Sequence, residues 1–127
     1  SFVTMLIQMR VRKDLIERLE LGLKRYKHGV RVNDDTRMWG TPKNSWIDMA
    51  REELLDSIIY IVADYIRNVR SEGERAPLSF RKNDEPDDNK LIMSIVDDWE
   101  YVESPQHKMV LWNLFKMLDS DIFRSVV

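Results

Sequence analysis

The stretch from Ser45 to Arg70, SWIDMAREELLDSIIYIVADYIRNVR, decides how the rest of the chain is read. Ser45 is a favoured helix N-cap, and Asp48 three positions on completes a capping-box-like start. At about 100° per residue, Glu53, Asp56, Tyr60 and Asp64 share one stripe. Ile47, Leu54, Ile58, Ile59, Ile61, Val62 and Tyr65 cover most of the remaining circumference. A helix that is apolar nearly all round is normally buried. Carboxylates buried with it need a cation or hydrogen-bond partners, because an isolated charge in an interior is costly. The segment therefore predicts a buried helix whose Glu53 and Asp56 meet something that compensates them.

Upstream, the spacing predicts a helix over about Thr4 to Lys27, with Leu15, Leu19, Leu23 and Tyr26, flanked by Val11 and Ile16, as its apolar stripe. Asp14, Glu17 and Glu20 follow one another at intervals of three on the other side, with Arg10, Lys13 and Lys24 nearby. Two readings of that face stay open. It is either a solvated surface with intrahelical ion pairs such as Glu20–Lys24, each worth a few tenths of a kcal/mol, or a source of metal ligands. His28-Gly29 is expected to end the helix, with Gly29 in the left-handed position.

The connection VRVNDDTRMWGTPKNSW, from Val30 to Trp46, is long for a small domain, and such loops are often functional or disordered. Its tryptophans, Trp39 and Trp46, argue against disorder. They either cap the core or line a pocket for a flat ring, with Arg31, Arg37, Lys43 and Asn44 close by for polar contacts.

Downstream, SEGERAPLSFRKNDEPDDNK, from Ser71 to Lys90, reads as an exposed loop or flexible linker. Two more helices are expected, over about Asn89 to Val102 and, after the cap pair Ser104-Pro105, over about Gln106 to Leu118. The last is nearly continuous in Met109, Val110, Leu111, Trp112, Leu114, Phe115 and Leu118, more than one small partner face needs, which suggests a subunit contact. His107, near its start, reads as incidental.

The expected fold is an all-α bundle of about four to five helices in one domain, 1–127. A two-helix catalytic core spans 1–70, an exposed loop 71–90, and a C-terminal helical segment, the candidate oligomer interface, 91–127. Four glycines and four prolines in 127 residues are sparse punctuation, as a helical fold requires. Hydrophobic residues at 43% and charged residues at 33% are ordinary for a soluble domain. A net charge of −2 offers no general polyanion surface, so no nucleic-acid partner is expected. The lack of cysteine excludes a disulfide scaffold, a thiol nucleophile and a cysteine-ligated zinc site. No apolar run approaches the roughly 20 residues that span a bilayer, and the start lacks signal-peptide features. A cytoplasmic protein without membrane partners is expected, in the host cytoplasm if it is viral.

The sequence has no glycine-rich phosphate loop, no Gly-x-Ser-x-Gly elbow and no His-Glu-x-x-His pair. Neither histidine stands in a triad context, so imidazole acid–base chemistry is not expected. What remains is a set of carboxylates. Glu17-x-x-Glu20 and Glu53-x-x-Asp56 each place two acids on one helix face. If the two helices pack antiparallel, all four converge, repel one another and raise one another's pKa values. A hard divalent cation removes that conflict, and magnesium is commonly held by carboxylates together with substrate phosphates and water. A metal-bridged polyphosphate is then the expected ligand, with a metal-activated water as nucleophile.

An acidic pair on one helix followed by Glu-x-x-Asp on the next resembles the all-α nucleoside triphosphate pyrophosphohydrolases, the MazG-like and dimeric dUTPase-like group. The second motif, Glu52-Glu53-Leu54-Leu55-Asp56 followed by an apolar run with Tyr60 and Ala63, carries most of the likeness. The string RYKHGVRVNDDTRMWGTPKNSWIDMAREELLDSIIYIVADYIR is similar to compact MazG-like proteins of phages and other viruses. The resemblance covers about Leu15 to Arg70. It implies cleavage between the α- and β-phosphates of a nucleotide, giving a monophosphate and pyrophosphate with Mg2+, or Mn2+ as a substitute. Glu17, Glu20, Glu53 and Asp56 would be metal ligands, and Glu52 an auxiliary ligand or base beside Glu53. Lys24, Arg25 and Arg67 would meet phosphates, Trp39 or Trp46 would stack on the base, and Asn44 or His28 would read its edge. The resemblance also implies a homodimer or homotetramer. The large stacking surface of two tryptophans leans towards a purine dNTP as substrate. Alternatives on the same scaffold are a catalytically inactive interaction or oligomerisation module, and another Mg-dependent nucleotide phosphohydrolase.

Overall fold

Ser45 caps the central helix as its sequence requires. Its backbone is extended, φ −145° and ψ 118°, and its hydroxyl accepts from the Asp48 N–H at 3.1 Å. In the computed structural model, which describes residues 1–124, the helix runs from Trp46 to Arg70. It is the second of four, α1 (Phe2–Tyr26), α2 (Trp46–Arg70), α3 (Asn89–Asp97) and α4 (Pro105–Leu118), joined by short 3-10 turns. No strand occurs among the described residues, so the fold is all-α as expected. The chain divides into two compact units, Ser1–Asp35 and a second that begins at Thr36.

The first unit is α1 and its tail. None of the helix's residues is buried, so the apolar stripe Leu15, Leu19, Leu23 and Tyr26 is exposed along its length. The expected Glu20–Lys24 ion pair does not form among the described residues. The left-handed residue that ends the helix is Lys27, with φ 66°, rather than Gly29. The chain thus leaves the helix two residues before the glycine, and Arg31 pairs with Asp34 at 3.0 Å beyond it.

The second unit packs α2 against both α3 and α4. Its core joins Ile58, Val62, Tyr65 and Ile66 of α2 to Ile95 of α3, to Val102, and to Leu111 and Leu114 of α4. This corrects the expectation of a helix buried all round. Within its unit α2 has helical partners on one face only, so Ile47, Leu55, Ile59 and Tyr60 remain exposed. At about 100° per residue, the Glu53–Asp56–Tyr60–Asp64 stripe lies roughly opposite that core face. The acids escape the burial cost because water reaches them.

Ser71–Lys90 is an exposed loop over most of its length, as expected, and it is locally structured. It holds two 3-10 turns, Gly73–Arg75 and Leu78–Phe80, with Ala76 buried between them. Phe80 meets Tyr65 edge to face, ring centroids 5.8 Å apart. Arg70 ties the segment to the end of α2, donating from Nε to the Phe80 carbonyl and from its fork to both oxygens of Asp88, at 2.9 and 3.3 Å. The hydrogen bond from Arg70 holds the Asp88 carboxyl below the usual carboxylate range. The Asp-Glu-Pro-Asp-Asp run is thus partly committed to ion pairs, since Glu85 also meets Lys90 at 3.5 Å.

α3 ends at Asp97, short of the expected Val102, and Trp99–Tyr101 form a 3-10 turn. Trp99 then stacks on Trp112, planes 3° apart and centroids 5.0 Å. Ser104 and Pro105 start α4 as cap and first residue. Met109, Trp112 and Met117 stay exposed on it.

Candidate functional site

The long connection owes its shape to a buried threonine. Thr36 is 0% exposed. Its N–H donates to Asn44 Oδ1 at 3.0 Å, and its hydroxyl donates to the Lys43 carbonyl at 3.1 Å and accepts from the Ser45 N–H at 2.8 Å. Thr41, also buried, donates to the same Lys43 carbonyl at 2.7 Å. These bonds hold the chain just before the α2 cap and place Trp39 and Trp46 side by side, centroids 5.4 Å apart and planes tilted by 47°. The rings are 48% and 36% exposed, so they form a surface shelf rather than a core cap. Thr36→Val keeps the shape and removes the hydroxyl, leaving the Ser45 N–H with the Lys43 carbonyl, 2.9 Å away, as its remaining acceptor. The expected cost is about 1 kcal/mol, the net worth of an ordinary hydrogen bond. Chemical denaturation followed by tryptophan fluorescence measures it, and an unchanged midpoint would show that the hydroxyl network is idle.

On α2, Glu52 and Glu53 are exposed and Asp56 half-buried. Ser57 donates to the Glu53 backbone carbonyl at 2.8 Å, leaving both carboxylates of the i, i+3 pair uncommitted. No ion pair or side-chain hydrogen bond engages Glu17, Glu20, Glu52, Glu53 or Asp56 among the described residues. Glu17, Glu20, Lys24 and Arg25 are exposed on α1, and Arg67 is exposed on α2. His28 is half-buried and donates from Nδ1 to the Gly29 carbonyl at 2.7 Å. Asn44 has its side-chain oxygen engaged by Thr36, which leaves its amide nitrogen for a ligand. Glu17 and Glu20 belong to the first unit and Glu53 and Asp56 to the second, so each pair is described within its own helix. No three acids or histidines stand together as a ready-made metal cage among the described residues.

The second unit contains a cavity that none of these residues lines. It measures about 470 Å3 and lies between the end of α2, α3 and the start of α4. Val69, Pro77, Phe80, Leu91, Ile95 and Val102 give it apolar walls, with Tyr65, Tyr101 and His107 as further rings. Glu72, Asp98 and Glu103 supply carboxylates, and Asn68, Ser94 and Ser104 neutral polar groups. His107 sits in a chain of contacts, Ser104 Oγ 2.5 Å from its Nδ1 and Asp64 Oδ2 2.6 Å from its Nε2.

No known family, characterised protein or solved structure matches this chain.

His107, read from the sequence as incidental, is partnered on both ring nitrogens. The order Ser104, His107, Asp64 has the atoms of a proton relay, but the hydroxyl of Ser104 is engaged at the start of α4, where it also accepts from the His107 N–H at 3.4 Å. The arrangement ties α4 to α2 and closes one side of the cavity. Tyr65 adds to the closure by accepting from the Glu103 N–H at 3.3 Å. The only sequence signal was the Ser-Pro-x-His start of α4, and Asp64 is too far along the chain to suggest the pairing.

Proposed function

We propose that the protein is a metal-dependent (deoxy)nucleoside triphosphate pyrophosphohydrolase, with Glu53 and Asp56 as its principal metal-binding pair. The observation that carries this reading is the uncommitted state of those two carboxylates, on the α2 face turned away from the core. No lysine or arginine stands at i±3 or i±4 of either acid, so α2 itself supplies no cation to pair with them.

An all-oxygen donor set fits a hard cation such as Mg2+ or Mn2+. Magnesium needs no complete protein cage, because it keeps several waters and takes one or two carboxylates together with substrate phosphates. Two acids one helical turn apart are enough on that count. When bound, the ion neutralises phosphate charge and favours ionisation of a water. Glu17 and Glu20 are proposed as a further metal-binding pair within α1, and Glu52 as the base that takes the proton of the attacking water. The water adds to the α-phosphorus, and the bond to the bridging oxygen breaks, releasing pyrophosphate and leaving the nucleoside monophosphate. The shelf of Trp39 and Trp46 offers a stacking surface for the base, with the Asn44 amide within the same loop.

Incubating the protein with each dNTP and Mg2+ and separating the products tests this reading. Monophosphate with an equimolar amount of pyrophosphate is the expected outcome. Orthophosphate as first product would replace the proposal with another nucleotide phosphohydrolase. No turnover with any nucleotide, under Mg2+ or Mn2+, would overturn the enzyme reading. It would favour a helical interaction module, to which the exposed apolar stripe of α1 is suited.

A further inference from the structure

We infer that the cavity between α2, α3 and α4 is a second binding site, for a small organic cation with an aromatic or aliphatic body. This inference stands apart from the pyrophosphohydrolase proposal, since none of that site's residues lines the cavity. At about 470 Å3 it falls within the roughly 300–1,000 Å3 of small-molecule pockets.

Its chemistry selects the charge of the ligand. Glu72, Asp98 and Glu103 line the cavity, and no lysine or arginine does. None of the three carboxylates has an ion pair or a side-chain hydrogen bond among the described residues, so no cation of this chain already answers them. An anionic ligand would meet uncompensated repulsion there, whereas an ammonium would be attracted. The apolar walls select the rest. Tyr65 and Phe80 stand edge to face, and Tyr65 meets His107 with centroids 5.8 Å apart. Aromatic faces attract a cation through the ring quadrupole, more strongly where water is displaced. A simple metal ion would leave the aromatic and aliphatic walls unused, and a neutral hydrocarbon would leave the acids unused. An amine carrying an apolar group uses both.

The test uses three ligands of one shape and different charge, tryptamine, tryptophol and indole-3-acetate, titrated into the full chain at neutral pH. Amide and aromatic NMR shifts are followed at Tyr65, Phe80, Leu91 and Glu103. Tryptamine is expected to bind with a dissociation constant on the order of 0.1–1 mM, ordinary for a ligand of its size. Its shifts should centre on those residues. The alcohol and the carboxylate should each bind at least about tenfold more weakly, the cost of losing the cation's attraction to the acids and rings. A triple variant, Glu72→Gln, Asp98→Asn and Glu103→Gln, should remove that preference. All three positions are exposed and unpaired, so the fold should survive, as an unchanged circular dichroism spectrum would show. Equal binding of the three ligands would overturn the inference. So would no tryptamine shift at the cavity, or a charge preference that persists in the folded triple variant. Because the readout is binding, these outcomes hold whether or not the protein turns over nucleotides.

Discussion

Leu111→Ala is expected to lower the stability of the second unit by about 2–5 kcal/mol, the range for deleting a buried leucine side chain beyond Cβ. Leu111 is 0% exposed and belongs to the cluster that joins α4 to Ile58, Val62 and Tyr65 of α2. Removing its isopropyl end loses the transfer free energy of the buried methyl groups and leaves a void that close-packed neighbours only partly fill. The change should appear as a fall in the urea midpoint followed by far-ultraviolet circular dichroism, with little change in slope. Met109 on the same helix provides the control, since it is 59% exposed. Met109→Ala should stay within about 0.5 kcal/mol of the parent, as surface substitutions usually do. Equal effects at the two positions would mean that α4 does not pack through Leu111.

Helix starts, settled within a few residues, were legible in the sequence. The caps at Ser45 and Ser104 could be read because each hydroxyl answers an N–H three positions on, a relation that needs no tertiary knowledge. Helical spacing placed Ile58, Val62 and Tyr65 on the apolar circumference but did not separate them from Ile47 and Ile59, which stay exposed. What could not be read depended on how many partners a helix would find. The apolar circumference of α2 suggested burial on every side, but its unit offers α3 and α4 on one side only, and Ile59 and Tyr60 stay in water. Contacts between distant residues were equally hidden. Arg70 reaching Phe80 and Asp88 turned an apparent linker into an ordered segment. His107 gained a partner from α2, and Thr36 became the centre of its loop, although a threonine in a polar stretch carries no periodic signal. The two acids of α2 were legible as a pair, but their access to solvent was not, because exposure is a property of the packed unit.

Glu53→Ala and Asp56→Ala are expected to reduce metal-dependent pyrophosphohydrolysis by a factor on the order of a thousand while leaving the helix intact. A ligated ion supplies several kcal/mol of charge stabilisation in such a transition state, and each roughly 1.4 kcal/mol corresponds to tenfold in rate. Neither carboxylate has a partner that the substitution would strand, and alanine is the most favourable residue in a helix. Loss of activity should therefore come without loss of far-ultraviolet signal or urea midpoint. Asp56→Asn separates charge from shape, since it keeps an oxygen donor but no anion. It should raise the Mg2+ concentration needed for half-maximal rate rather than only lower the rate at saturation. Glu17→Ala and Glu20→Ala decide between the two readings of α1. As ligands they should also shift the metal requirement, and as solvated surface they should leave it unchanged. Glu100→Gln, an exposed acid outside both proposed sites, controls for the general effect of removing a negative charge. If Glu53→Ala and Asp56→Ala retained the parent's activity at limiting Mg2+, the proposed pair would hold no ion and the uncommitted carboxylates of α2 would be surface charge alone.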